Sequence, residues 1–275
     1  GQARRERQVR SGEVLPCVGS RLTSPKCCTR SLWGDSVVWN RTMKPKALVA
    51  EFIGAFGLCF LGILAIHHAG AGATNLTGVA LAHGLIIAVL VAAFAATSGA
   101  HFNPAVSAAL LAAKKIDGAT FVGYVFAQIA GAAAGALAAG AIVGNAAIAA
   151  GTPAVAEGMA PTGALIAEII GTFFLVSVIF GVAVDKRSPG SATAPPFIGL
   201  TIVACILGIG PVSGCAINPA RFLGSALVGG GMGPNMWVWV VGPLLGGIVA
   251  GLLYDQFFAK GEEAATGAFW TDLSN

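Results

Sequence analysis

Charge is what this chain has least of. Lys, Arg, Asp and Glu make up 10% of its 275 residues, against about a quarter in ordinary soluble domains. Hydrophobic residues make up 56%, and the mean hydropathy is +0.80. A soluble globule of this length needs more polar surface, so the composition excludes one and assigns the chain to a lipid bilayer. Charge is also missing from particular places. Stretches 67–77 and 144–163, which read as loops between spans, hold no Lys or Arg. Residues 1–42 lack the apolar core of a signal peptide, and Arg4, Arg5, Arg7 and Arg10 are too sparse for a lipid-surface or nucleic-acid patch. Cys17, Cys27 and Cys28 have no His nearby, so no metal site is expected there. This stretch reads as a disordered basic tail or, the preferred reading, as a segment upstream of a start at Met43. Residues 261–275 read as a second tail.

What is present is long apolar runs. Six are long enough to cross about 30 Å of hydrocarbon as helices: 48–66, 78–96, 121–143, 164–184, 197–209 extended back through Pro195, and 237–258. Pro195 and Pro196 fit the first turn of the fifth, where a missing N–H costs little. Two further apolar pieces, 103–113 and 218–229, are too short to span. At 1.5 Å rise per residue each covers roughly 16 Å, about half of the hydrocarbon.

Those two pieces begin with the same tripeptide. Asn103-Pro104-Ala105 returns as Asn218-Pro219-Ala220, 115 positions on (218 − 103), inside the longer echo SGAHFNPAVSAAL against SGCAINPARFLGSAL. Ala50-Glu51-Phe52-Ile53-Gly54 likewise returns as Ala167-Glu168-Ile169-Ile170-Gly171. Each copy therefore holds three full helices and one half-helix. An odd number of crossings makes the second copy enter from the opposite side. The fold expected is an all-α membrane protein of inverted three-helix repeats, about 46–143 and 162–259, within a channel domain 43–260. Ten of the sixteen Lys and Arg precede Ala47, and Lys114, Lys115, Lys186, Arg187 and Lys260 fall on the same side, so both termini are expected in the cytoplasm. Arg221, on the second short piece, escapes that bias.

The tripeptide has its own chemistry. Asn is a favoured N-cap and Pro is tolerated at N1, so each marks an abrupt helix start in which the Asn oxygen accepts a backbone N–H and its amide nitrogen stays free. Two such starts meeting at mid-membrane would point two amide donors and two positive helix ends at one lumen. A cation about 4 Å from each end meets roughly 2 kcal/mol of repulsion per end at an effective dielectric near 20. Neutral water meets none. Upstream of each Asn, the carbonyls of Gly99, Ala100, His101 and Phe102, and of Gly214, Cys215, Ala216 and Ile217, form the expected ladder of acceptors, opposite a wall of Val and Ile.

Paired NPA tripeptides on half-helices, the HFNPAV and INPAR contexts, and Glu on the first and fourth helices together resemble the aquaporin (major intrinsic protein) family over roughly 43–260. That resemblance implies passive transport without a cofactor, a metal or covalent chemistry, hence no enzyme, in a homotetramer whose protomers each hold a pore. It implies a narrowest point at His83, Ile206, Cys215 and Arg221. His83 stands where strict water channels have Phe, and Ile206 where they have His. This pair is similar to plant tonoplast intrinsic proteins, whose members also pass ammonia, urea or peroxide. Glycerol-conducting relatives usually follow NPAR with Asp, whereas Phe222 follows here and Ala226 matches the water type. Water is the expected permeant, small neutral solutes accompany it, and the plasma membrane is the expected location. Glycerol, ammonia or urea conduction is the rival within the fold.

Glu51 and Glu168 admit two readings, proton relays or buried acceptors bracing the irregular loops; the matched positions favour the second. His101 reads as a neighbour that orients backbone, and His67 and His68 as wet loop residues. A proton-coupled transporter would share inverted repeats but needs an ionisable relay at the midplane, and no candidate beyond the two Glu is evident. A non-conducting membrane scaffold would not require Arg221 beside a doubled half-helix.

Overall fold

The computed structural model describes residues 44–188 and 193–259. The tails 1–42 and 261–275, with their cysteines and Lys260, lie outside the described residues. Nine α-helices make up the described chain: α1 (Pro45–Gly70), α2 (Leu76–Ser98), α3 (Pro104–Ala112), α4 (Gly118–Val143), α5 (Ala146–Gly151), α6 (Pro161–Ile179), α7 (Ala194–Ser213), α8 (Pro219–Gly229) and α9 (Val238–Leu253). α6 and α9 each run on into a π turn, Phe180–Val184 and Tyr254–Phe258. With those extensions, six helices are long and apolar enough to span a bilayer, and no strand occurs among the described residues.

The helix starts follow local chemistry. Asn75 caps α2, its Oδ1 accepting the N–H of Thr77 at 2.9 Å and of Gly78 at 3.2 Å. Asp117 caps α4, and the N–H of Thr120 holds its carboxyl below the usual carboxylate range. Pro sits in the first turn of α1, α3, α6, α7 and α8. The boundaries differ from expectation in three places. α1 runs on to Gly70, so His67 and His68 occupy its last turn and are not loop residues. α7 continues through Pro211 to Ser213. The stretch 144–163 carries a short helix, α5, where a plain loop was expected.

Packing repeats as the sequence does. α1 lies on α4 as α6 lies on α9; α3 packs on α9 as α8 packs on α4; α2 crosses α7. Close approach is made by glycines at matched positions. A Cβ on Gly131 would stand 2.2 Å from the Phe52 carbonyl oxygen, and one on Gly246 2.1 Å from that of Ile169. At the α2–α7 crossing, Gly84 and Gly199 face each other, and a Cβ on either would lie 2.4–2.5 Å from the other's carbonyl oxygen. Without a hydrophobic drive between helices in lipid, such backbone-to-backbone contact is what dispersion and Cα–H···O contacts need. Outward lie large apolar side chains such as Val49, Phe126, Phe174 and Leu200, all exposed, as a lipid-facing surface requires. One end of the bundle carries ion pairs instead: Lys115 with Asp255 at 2.8 Å, and Arg187 with Asp185 at 2.7 Å. The Arg187 guanidinium holds the Asp185 carboxyl below its ordinary range and also donates to the Phe258 carbonyl.

Candidate pore and its constriction

α3 and α8 meet at their N-terminal tips. Asn103 caps α3, its Oδ1 accepting the Ala105 N–H at 2.8 Å. Asn218 caps α8 by accepting from Ala220 at 3.0 Å and Arg221 at 3.2 Å. Pro104 and Pro219 take the first helical positions, and Ala105 and Ala220 are completely buried behind them. The amide nitrogens were expected to be free, and here the structure differs. Asn103 Nδ2 donates to the Ile217 carbonyl at 2.8 Å, and Asn218 Nδ2 donates to the Phe102 carbonyl at 2.9 Å. Each amide carries two N–H groups, so each Asn pins the opposite repeat with one and retains the other. The reason is geometric: tips that touch bring each cap against the last carbonyl before the other.

Both approach segments are bent in the same way. Gly99, Ala100 and Phe102 have positive φ of 87°, 52° and 51°; Gly214, Cys215 and Ile217 have 72°, 45° and 42°. Only glycine adopts that region without penalty, and a β-branched Ile there is an outlier costing on the order of 1–3 kcal/mol. The buried acids hold these bends. Glu51 Oε1 accepts from Ser98 Oγ (2.7 Å) and the His101 N–H (3.0 Å), while Oε2 accepts from the Phe102 N–H (2.6 Å) and Gln128 Nε2 (2.7 Å). Glu168 Oε1 accepts from Ser213 Oγ (2.6 Å) and the Ala216 N–H (2.8 Å), and Oε2 from the Ile217 N–H (2.6 Å). Both acids are completely buried.

Several partners in this scaffold went unread in the sequence. Ser98 and Ser213 sit inside the echo around the tripeptides, at the common spacing. Tyr124 and Trp239 share that spacing too, and both donate to the carbonyl of the matching Ser, Tyr124 Oη to Ser98 at 2.7 Å and Trp239 Nε1 to Ser213 at 2.8 Å. A search for paired donors instead of paired letters would have found them. Gln128 could not be found so, because Pro243 stands opposite it.

The segments, the tips and the helices around them enclose one cavity. Ala100, His101, Phe102, Cys215, Ala216, Ile217, Asn103 and Asn218 form one wall, and Ile87, Val91, Ile198, Ile202 and Ile206 stand among the apolar residues lining the rest. Gly99 and Gly214, expected in the acceptor ladder, are not part of the lining: they end α2 and α7, with their N–H groups on Ala95 and Gly210. His101 lines the cavity while its Nδ1 lies 3.0 Å from Ser107 Oγ and its ring meets Tyr124 edge-on.

His83, Ile206, Cys215 and Arg221 all line this cavity, each 6% exposed or less. His83 Nδ1 lies 2.8 Å from the Val79 carbonyl, which can only accept, so that nitrogen carries the proton. His83 Nε2 is then an acceptor, and Arg221 Nη2 stands 3.3 Å from it. Arg221 Nη1 is buried with no partner among the described residues. The arrangement offers a passing molecule fixed donors beside apolar walls.

Spans that cross a membrane, with two half-helices meeting tip to tip on a lined cavity, define a passive membrane channel. The particular family follows from comparison: residues 38–254 match the model of the Major intrinsic protein family, and the chain belongs to it. It is 37% identical to "Aquaporin TIP4-4" of Zea mays over 223 residues, 78% of this chain and 86% of that one. It is also 37% identical to "Probable aquaporin AqpM" of Archaeoglobus fulgidus over 241 residues, covering 78% and 97%. Among solved structures, the aquaglyceroporin from Plasmodium falciparum superposes with a TM-score of 0.72 at 28% identity, covering 78% of this chain and 96% of that chain. Relatives carrying TIP, NIP and AqpM names match at nearly equal identity, so overall similarity singles out no subgroup. The chain is an integral, multi-pass aquaporin-family channel for water.

Proposed function

We propose that the pore passes water in single file, turns protons and ions away at the Asn103–Asn218 tips, and selects among neutral solutes at His83, Ile206, Cys215 and Arg221. The observation that carries this reading is the reciprocal bonding of the two Asn caps, Asn103 to the Ile217 carbonyl and Asn218 to the Phe102 carbonyl. It holds two positive helix ends together beside the lumen. The carbonyls of Ala100, His101, Cys215 and Ala216 serve as acceptors along one wall, and the second N–H of each Asn as the central donors. Glu51 and Glu168 serve as braces and not as relays, since backbone or hydroxyl donors engage every carboxyl oxygen.

His83 stands where strict water channels present Phe, and with Ile206 it makes a narrowing similar to that of plant tonoplast intrinsic proteins, so small neutral solutes such as ammonia are admitted with water. Glycerol, the solute in the name of the Plasmodium falciparum aquaglyceroporin, is the rival substrate. The assembly proposed is a homotetramer in the plasma membrane with both termini in the cytoplasm. The Lys115–Asp255 and Arg187–Phe258 contacts support that orientation by gathering basic residues at one end of the bundle. Stopped-flow light scattering on one proteoliposome preparation tests the ranking: water and ammonia accelerate over protein-free vesicles and glycerol does not. Glycerol flux as fast as water flux overturns it.

A further inference from the structure

We propose that Gly62 on α1 is a positioning residue for the constriction, setting the lumen width by giving the His83 ring the space it occupies. The inference rests on the reading of His83 and Arg221 as the selective narrowing, and adds to it a residue that does not itself line the lumen.

A Cβ built on Gly62 would lie 2.4 Å from His83 Nε2, 2.9 Å from Cε1 and 3.0 Å from Cδ2. One whole edge of the imidazole therefore lies against the α1 backbone, and ordinary contact at about 3.5 Å would require the ring to move by about 1 Å. It has little freedom to move sideways. Val79 holds Nδ1 at 2.8 Å on its own helix, and Arg221 Nη2 stands 3.3 Å from Nε2. His83 is 1% exposed and lines the cavity, so the open direction is the lumen itself. For a file of molecules about 2.8 Å across, a displacement of that size decides passage. α1 supports the filter at a second point on the same face: Cys59, three residues earlier, places Sγ 3.8 Å from the Arg221 carbonyl oxygen. Glycine is otherwise unfavourable inside a helix, so Ala at 62 would favour the helix by propensity and penalise only the contact with His83.

The test reconstitutes wild type, Gly62→Ala, His83→Ala and the double variant at equal protein density, and reads water and glycerol permeability from each. Gly62→Ala is expected to lower water permeability about fivefold or more. His83→Ala is expected to raise glycerol permeability, and the double variant to behave as His83→Ala, because removing the ring removes the clash. Rescue in the double variant separates an effect on the filter from damage to folding, which it would not repair. Wild-type permeability in Gly62→Ala overturns the proposal and leaves the constriction standing. A double variant as slow as Gly62→Ala also overturns it. His83→Ala with water and glycerol both unchanged overturns the constriction itself, and the proposal with it.

Discussion

Replacing Glu168 with Leu is expected to leave no working channel: recovery of monodisperse protein falls steeply, and what is reconstituted shrinks no faster than protein-free vesicles. The Glu168 carboxyl receives the N–H groups of Ala216 and Ile217 and the Ser213 hydroxyl, all within 2.8 Å in a completely buried site. An apolar side chain strands the two backbone N–H groups, each costing about 1–3 kcal/mol when buried unpaired, and leaves the Ser213 hydroxyl only the Ile209 carbonyl at 3.4 Å. It also leaves the strained positive φ of Cys215 and Ile217 unheld, so the segment relaxes away from the bend that builds the pore wall and recovers part of that strain. The unpaired donors alone take a large share of the whole stability of a typical protein, about 5–15 kcal/mol. Glu51→Leu should fail more completely, since Glu51 accepts from four donors. Glu168→Gln keeps one acceptor oxygen and should fall between. Wild-type recovery and permeability in Glu168→Leu would contradict the bracing role.

The second large effect is expected at the tips. Asn218→Asp keeps an oxygen to cap α8 but loses the N–H that reaches the Phe102 carbonyl, and it brings a negative charge to the meeting point. A unit charge about 4 Å from a monovalent cation contributes roughly 4 kcal/mol at an effective dielectric near 20, which offsets the two half-charges of the helix ends. Cation permeability should therefore rise by about a thousandfold, while water continues to pass. A sodium- or potassium-sensitive dye trapped in vesicles reads the result. An Asn218→Asp channel as tight to cations as wild type would show that the exclusion lies elsewhere.

The sequence was most legible where one residue type dictates a local event. Asn-Pro-Ala gave both half-helix starts, at Pro104 and Pro219, because capping and the missing proline N–H act within one turn. The spans were legible because hydrocarbon thickness fixes their length. Contacts between distant segments were not. Nothing local says that the Asn103 amide will find Ile217, 114 positions away, so its nitrogen read as free. The brace formed by Glu51 was half visible: the repeat flagged the acid, but Gln128 has no counterpart in the second copy and so left no echo. Gly62 was silent altogether, since an empty place on α1 acquires meaning only from the ring on α2 that fills it.

One measurement bears most directly on the meeting of the two helix ends: osmotic water flux and proton flux read together on the same vesicles, with a trapped pH dye recording the second. Water movement well above that of protein-free vesicles, with proton movement indistinguishable from theirs, is the result expected of tips that repel charge and pass neutral molecules. Proton flux rising in step with water flux would contradict it.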